Sequence, residues 1–535
     1  MFPFLILLAS FVASPVPQHH HHDAENGDPN AAIEKFGSVS MQISCTAAVQ
    51  KPFERGVALL HSFWYEEATK QFQLVASADP QCAMAQWGLA MSEWRPFWDG
   101  MPIERRKAGI VEIDKAMGLN ARTDRERRYI SALRDYLHAD PSQDEKALRR
   151  YDDAMLALHT AYPDDIEATA FYGLALAASG DARKALDVLE PAFQAHPDHP
   201  GLAHYIIHTT DSPQLAAEGL AAAKEYAAIA PSSAHALHMP GHIFARLGMW
   251  QEDIDANKAS VRASEDAEKN HLAGVGHEMH AYEFLLYAYL QIADDANAKR
   301  VLDYIEPMIT HLRSVPGIEN DGMAIFTTYF EVELPGIYYL EMHDWKNVLA
   351  IPEPANPLIS TKYYLNWEQA IAAGHLRDTK TADRSAAAAE AIYDQLPNDG
   401  SPISGEKEVA LDTIKAWQSF AHKNDEQAFH QISDAADIQD RVGQAEVDIP
   451  AREMYADMLL TDHRPAEALV QYRAALKLSP NRFNALYDAG RAAEEVGKKD
   501  EAAGYFKQLL TITNNGAHTR RPEIAYIRTR NLTIQ

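Results

Sequence analysis

The sequence predicts an all-α fold, a solenoid of antiparallel helix pairs, and three observations predict it. Alanine-rich stretches repeat their apolar residues with a helical period of about 3.6 along most of the chain. The period-2 alternation of half-buried strands is almost absent. A longer spacing of 34 residues also recurs. In EALVQYRAALKLSP (467–480) and EAAGYFKQLL (501–510), Ala468, Tyr472 and Ala475 correspond to Ala502, Phe506 and Leu509. Units that bury their apolar faces only by stacking on neighbours produce such a period.

With 535 residues the chain can build several cores or one extended architecture. Its 76 acidic residues outnumber 49 Lys and Arg, giving a net charge of −27. That balance counts against tracking a phosphate backbone or adhering to anionic lipid, so no nucleic-acid partner is expected. The opening run FPFLILLASFVA (2–13) is too short to span a bilayer, and no other segment resembles a membrane helix. It has the length of a signal-peptide core and is followed by small residues, although no Lys or Arg precedes it. Residues 1–14 are therefore expected to direct export, giving a periplasmic or extracellular protein.

Residues 15–40 read as a His-rich, acidic linker containing HHHHD (19–23). That run either captures a divalent ion for delivery inward or serves as a solvated linker, the plainer outcome. The two cysteines, Cys45 and Cys82, are compatible in an exported chain with a disulfide worth ~3–4 kcal/mol in the chain-entropy model. In a cytosolic chain they would be small buried thiols.

The repeat frame extends upstream. Gly56, Ala68, Phe72 and Pro80 fit it, as do Gly173, Gly180, Ala185, Ala192 and Pro197. Pro231 lies one period beyond Pro197, Gly248 and Trp250 occupy a turn, and Gly490 and Gly497 precede the last run. This pattern resembles the tetratricopeptide repeat, and HMPGHIFARLGMW (238–250) resembles segments of bacterial exported proteins of that type. The resemblance implies a right-handed superhelix. It also implies a concave face lined by positions 2, 5, 9 and 12 of each first helix, where a peptide or protein ligand would bind. The frame slips at 98–165, 266–276, IPEPANP (351–357) and LPNDGSPISG (396–405). The expected organisation is a TPR-like solenoid at 41–350, an irregular helical region at 351–445, a C-terminal TPR pair at 446–515 and a tail at 516–535.

The frame gives meaning to HALHMPGH (235–242). With units starting at 200 and 234, His204 and His208 take positions 5 and 9 of one first helix. His238 and His242 take the same positions of the next, with His235 at position 2. In the following unit His280 takes position 2 and Glu283 position 5, with His277 and Glu278 just before them. Adjacent first helices about 8–10 Å apart let imidazoles from both sides reach one cation. All-nitrogen ligation suits Zn²⁺ or Cu²⁺, and Fe²⁺ if a carboxylate joins. Asp211, Glu278 and Glu283 are candidates to orient the rings from behind. Pro240 must kink the second helix, releasing the Ala236 carbonyl, or make the helix start later.

Three functions follow. The first is a binding protein with a His-rich divalent-metal centre on the concave face. The second is a hydrolytic or oxidative metalloenzyme using His204, His208 and His242, with Glu283 or Glu278 as base. The third is a metal-free scaffold whose histidines line a peptide groove. Trp87, Met91 and Trp94 are candidates for an apolar wall of that groove, which Asp211 would also line; the common alternative for the first three is core under the next helices. His277-Glu278-Met279-His280 places its second histidine one residue too early for a zinc-protease helix. No phosphate-binding loop, nucleophile elbow, dinucleotide fingerprint or CxxC is present in the sequence.

Overall fold

The computed structural model describes residues 35–97, 101–316, 318, 326–396 and 402–530. The expected export segment and the HHHHD run lie outside the described residues. Among the described residues the elements are helices with no strand. They form a TPR-like stack of pairs, including Gln50–His61 with Tyr65–Ala78, Pro200–Thr210 with Ala216–Ile229, and Phe483–Glu495 with Lys499–Ile512. Helices pack against their sequence neighbours and also two along, so that first helix lies beside first helix. The glycines of the frame mark close helix approaches. A Cβ on Gly490 would sit 2.2 Å from Phe506, and one on Gly56 2.7 Å from Phe72.

The turns inside the pairs share one device. A left-handed residue follows the first helix at Phe63, Gly180, Gly248, Ala293, His343, Arg377, Lys423, His463 and Gly497. In four of them the next residue is an aspartate capping the second helix, Asp181, Asp294, Asp344 and Asp378. Each accepts a backbone N–H three residues on, satisfying a donor the helix leaves open. Only three of the nine left-handed positions are glycine, although a side chain there costs about 1–2 kcal/mol. Residues 351–445, expected to be irregular, therefore contain ordinary pairs: Ile359–Leu376 with Thr379–Tyr393, and Pro402–Ala421 with Asp425–Val442. Longer helices and non-glycine turns had broken the 34-residue spacing without breaking the architecture.

Residues 35–46, part of which was expected to be linker, run extended across the starts of successive first helices. Lys35 N–H donates to Ser232 Oγ (2.9 Å), Ser38 N–H to the Asp198 carbonyl (2.9 Å) and Ser40 N–H to Glu167 (3.2 Å). Ser44 N–H donates to Glu126 (2.6 Å) and Thr46 N–H to Asp79 (2.8 Å). Phe36, Met41 and Ile43 are buried along this strap. A disulfide joins Cys45 to Cys82, 37 residues apart, and fixes the strap's end. Replacing both cysteines with serine is expected to cost ~4 kcal/mol in the chain-entropy model, read as a lower thermal midpoint that reductant reproduces in the parent protein.

The solenoid also closes on itself. The first helix, Gln50–His61, packs on Pro200–Thr210, and Phe483–Glu495 packs on His277–Gln291. Trp250 Nε1–H donates to the Asn481 carbonyl (2.8 Å), and Asn481 Nδ2–H to the Gly248 carbonyl (3.0 Å). The C-terminal pairs thus belong to the same body as the segments around the histidines.

Candidate metal centre

Three helical segments carry the histidines. Pro200–Thr210 begins on a proline, whose missing N–H costs nothing at a first helical position. The next first helix starts at Ala234, capped by Ser233 Oγ, and divides into Ala234–His238 and Pro240–Arg246. Pro240 cannot donate to the Ala236 carbonyl, so the helix breaks at Met239 as its position implied. The third segment is His277–Gln291.

His238, His242 and His280 bring their ligand atoms within 4.8 Å of one another. Each ring is held from behind through Nδ1. His238 Nδ1–H donates to Asn257 Oδ1 (2.6 Å), and the Asn257 amide is itself oriented because its Nδ2–H bonds Asp253 (2.6 Å). His242 Nδ1–H is shared between Asp211 (2.9 Å) and Glu446 (3.0 Å), and His280 Nδ1–H donates to Glu283 (2.6 Å). With Nδ1 committed as donor on all three rings, Nε2 is the atom left to ligate, and the His238 and His242 Nε2 atoms lie 2.8 Å apart. Phe284 packs against all three rings, with centroids 4.8, 4.8 and 5.3 Å away.

The carboxylates set the charge. Burial alone lowers the His242 pKa, but Asp211 and Glu446 outweigh it and push it up to about 10. Burial opposes ionisation of Asp211, yet Arg246 and His242 hold its carboxyl well below the usual range. His238 is lowered by burial and by the neighbouring His280 and His242. The metal-free His242 imidazolium therefore donates its Nε2–H to neutral His238. Arg246 also ion-pairs with Glu446 (3.1 Å), so the 443–450 segment is drawn over the histidines.

His204, His208 and His235 form a second group whose ligand atoms lie within 4.8 Å of one another. His204 Nδ1–H donates to the His61 carbonyl (2.6 Å), leaving its Nε2 3.1 Å from His235 Nε2. Burial lowers the His204 pKa to about 3 and carries those of His208 and His235 well below the ordinary value. The His235 and His238 rings are 6.3 Å apart, so the two groups are neighbours. The His277 ring lies tilted 5.2 Å from that of His235 and belongs to neither group.

A third cluster, His61, Glu167 and His199, has similar spacing and different chemistry. Glu167 accepts from both His61 Nε2–H (2.6 Å) and His199 Nε2–H (3.2 Å). The remaining nitrogens are used too, since His61 Nδ1 faces the Tyr205 hydroxyl (2.7 Å) and His199 Nδ1 accepts from Leu202 N–H (3.2 Å). No ring nitrogen is left for a cation, and the cluster is a satisfied core network. This triad leaves no local trace in the sequence, because its members come from three distant helix ends.

Several expected assignments are corrected by this geometry. His204, His208 and His242, grouped as an enzyme's ligands, divide between two clusters, because the kink after His238 turns His242 towards His280. Glu278 belongs to neither histidine group; its neighbours include Glu265, Glu268, His311 and Tyr304, and burial raises its pKa to about 7. Glu283 is tied to His280 Nδ1. Asp211 holds His242 and Arg246 (3.0 Å) and does not line an open groove. Trp87, Met91 and Trp94 are 1%, 1% and 2% exposed and belong to the core. Trp87 packs on Phe53, Tyr129 and Phe171, and Trp94 on Tyr136 and Tyr151. Glu446 and Asn257 were not singled out, because Glu446 lies 204 residues from its partner and Asn257 sits on the second helix of its pair.

No family model matches the sequence, and no curated protein matches it. Among solved structures, the chain is similar to one described as Naa15/Naa10 bound to HypK-THB, at 11% identity and a TM-score of 0.24. The match covers 85% of this chain, which spans 62% of that one.

Proposed function

We propose that this TPR-like solenoid is a metal-binding protein in which His238, His242 and His280 hold one divalent transition ion. The observation that carries this reading is the set of three histidine ligand atoms within 4.8 Å of one another, each ring fixed through Nδ1 by an oxygen acceptor. Oxygen behind the ring selects the tautomer and raises ligand basicity, as in carboxylate–histidine–metal arrangements. An all-imidazole donor set suits Zn²⁺ or Cu²⁺, with Fe²⁺ requiring a carboxylate in addition. Three protein ligands leave a position for water or a small substrate, which supports a hydrolytic or oxidative enzyme over a closed storage site. In that version the chain's own contribution is to hold the rings and exclude bulk water behind Phe284 and residues 443–450.

Export to an oxidising compartment is part of the same proposal, supported by the Cys45–Cys82 bridge. The second reading, a metal-free protein- or peptide-binding scaffold, is favoured by the solenoid architecture alone. No described helix is long and apolar enough to cross a membrane.

The test is Zn²⁺ binding by calorimetry in buffers of different ionisation enthalpy. His242 holds its proton up to pH about 10 in the metal-free protein, and a ligand must be neutral. Binding at pH 7–8 is therefore expected to release about one proton, and affinity to rise about tenfold per pH unit there. Absence of binding by the full chain with His19–His22 replaced by serine would leave the scaffold reading.

A further inference from the structure

We infer that the histidine interior holds a second divalent ion, at His204, His208 and His235, beside the first. This deepens the proposed function and rests on the reading of His238, His242 and His280 as a metal centre. At His204 the geometry of the second group repeats the logic of the first. His204 is oriented by a backbone oxygen, the His61 carbonyl, which commits its Nδ1–H and aims Nε2 at His235 Nε2, 3.1 Å away. His208 brings a buried Nε2 that has no hydrogen-bond partner. A buried imidazole nitrogen with no partner is costly in a core built only for packing, and a cation supplies what it lacks.

The surroundings are shaped for these rings. Phe63, held in the left-handed region at φ 53°, packs on His204, His208 and His235 with centroids 4.3, 5.3 and 5.8 Å away. Phe97 stacks parallel on His208 at 4.4 Å. Aromatic faces on one side leave the ring edges to meet on the other. The contrast with His61–Glu167–His199 is what gives the inference its weight: there each ring nitrogen is used, whereas here His208 keeps a buried Nε2 with no hydrogen-bond partner beside the His204–His235 Nε2 contact. The absence of a carboxylate in the group matches the donor set of the first centre and calls for the same class of ion, Zn²⁺ or Cu²⁺.

The experiment is Zn²⁺ stoichiometry by mass spectrometry after dialysis, on the full chain with His19–His22 replaced by serine. Two ions per chain are expected. His208→Ala/His235→Ala is expected to retain one, and His242→Ala/His280→Ala is expected to retain the other. One ion in the parent, lost in the His242 and His280 variant and kept in the His208 and His235 variant, would overturn the second site and leave the first intact. No ion in the parent would overturn both. The parent count decides the matter even if a double variant fails to fold. His208→Asn, with far-ultraviolet circular dichroism as the check on folding, gives an independent reading of the second site.

Discussion

Replacing His242 with alanine is expected to weaken metal binding by more than the ~10–100-fold that loss of an outer hydrogen bond costs, because it deletes a ligand atom itself. The effect concentrates at His242 for two reasons. Its Nε2 faces that of His238 at 2.8 Å, and its Nδ1 is the point where Asp211 and Glu446 bring negative charge to the centre. Asn257→Ala is the graded companion. It keeps all three imidazoles and removes only the acceptor that fixes the His238 tautomer, so a loss of about 10–100-fold is expected. Competition with a chromophoric chelator measures both. Equal, negligible losses in the two variants would mean that the ion, if bound, sits elsewhere.

Replacing Arg482 with alanine is expected to destabilise the fold by about 3–5 kcal/mol, because it leaves buried carboxylates without their counter-charge. Arg482 is 1% exposed. Its guanidinium bonds Glu453 through Nε (2.6 Å), Glu341 through Nη2 (2.7 Å) and the Asp448 carbonyl through Nη1 (2.9 Å). Glu453 is on the helix Ala451–Thr461 and Glu341 on Thr327–Glu341, so this one side chain ties the C-terminal pairs to the middle of the solenoid. Neutralising all three groups together, as Arg482→Met/Glu341→Gln/Glu453→Gln, should recover much of the loss. Thermal midpoints of the two variants separate these outcomes. A single variant as stable as the parent would show that water reaches the carboxylates. Because Asp448 lies two residues from Glu446, loosening this joint should also weaken metal binding.

The helical architecture was legible because close packing writes itself into small and aromatic residues at fixed offsets. Gly490 against Phe506 and Gly56 against Phe72 are contacts that the frame names directly. First helices expected to start at 200 and 234 do start there, and the histidine register followed from those starts. Legibility failed where the turn carried a side chain. His343, Arg377 and Lys423 take the left-handed position that a search for glycine skips, so ordinary pairs read as irregular chain. At His343 and Arg377 the capping aspartate that follows was the better signal. The indole stripe at Trp87 and Trp94 shows a different limit, since helical spacing gives a face and does not say what covers it.

For the centre, sequence spacing brought the histidines to one region and left their division into groups open. The Pro240 kink decides which rings meet, and its effect on His242 depends on the exact path from Met239 onward. The outer acceptors were harder. Asp211 was accessible because it follows the His208 turn, whereas Glu446 reaches His242 only through closure of the solenoid, a long-range packing event with no local trace. Lone-pair accounting then separated the converging histidines from the equally compact His61–Glu167–His199 network, a distinction no spacing rule provides.

The most direct test of the central claim is the metal content of the full chain purified without chelators, with His19–His22 replaced by serine. Stoichiometric Zn or Cu, falling by one ion per chain in His238→Ala/His242→Ala of the same chain, is the result predicted. Background metal in the unsubstituted protein, unchanged after incubation with Zn²⁺ and Cu²⁺ at pH 8, would contradict it and leave the histidines as packing.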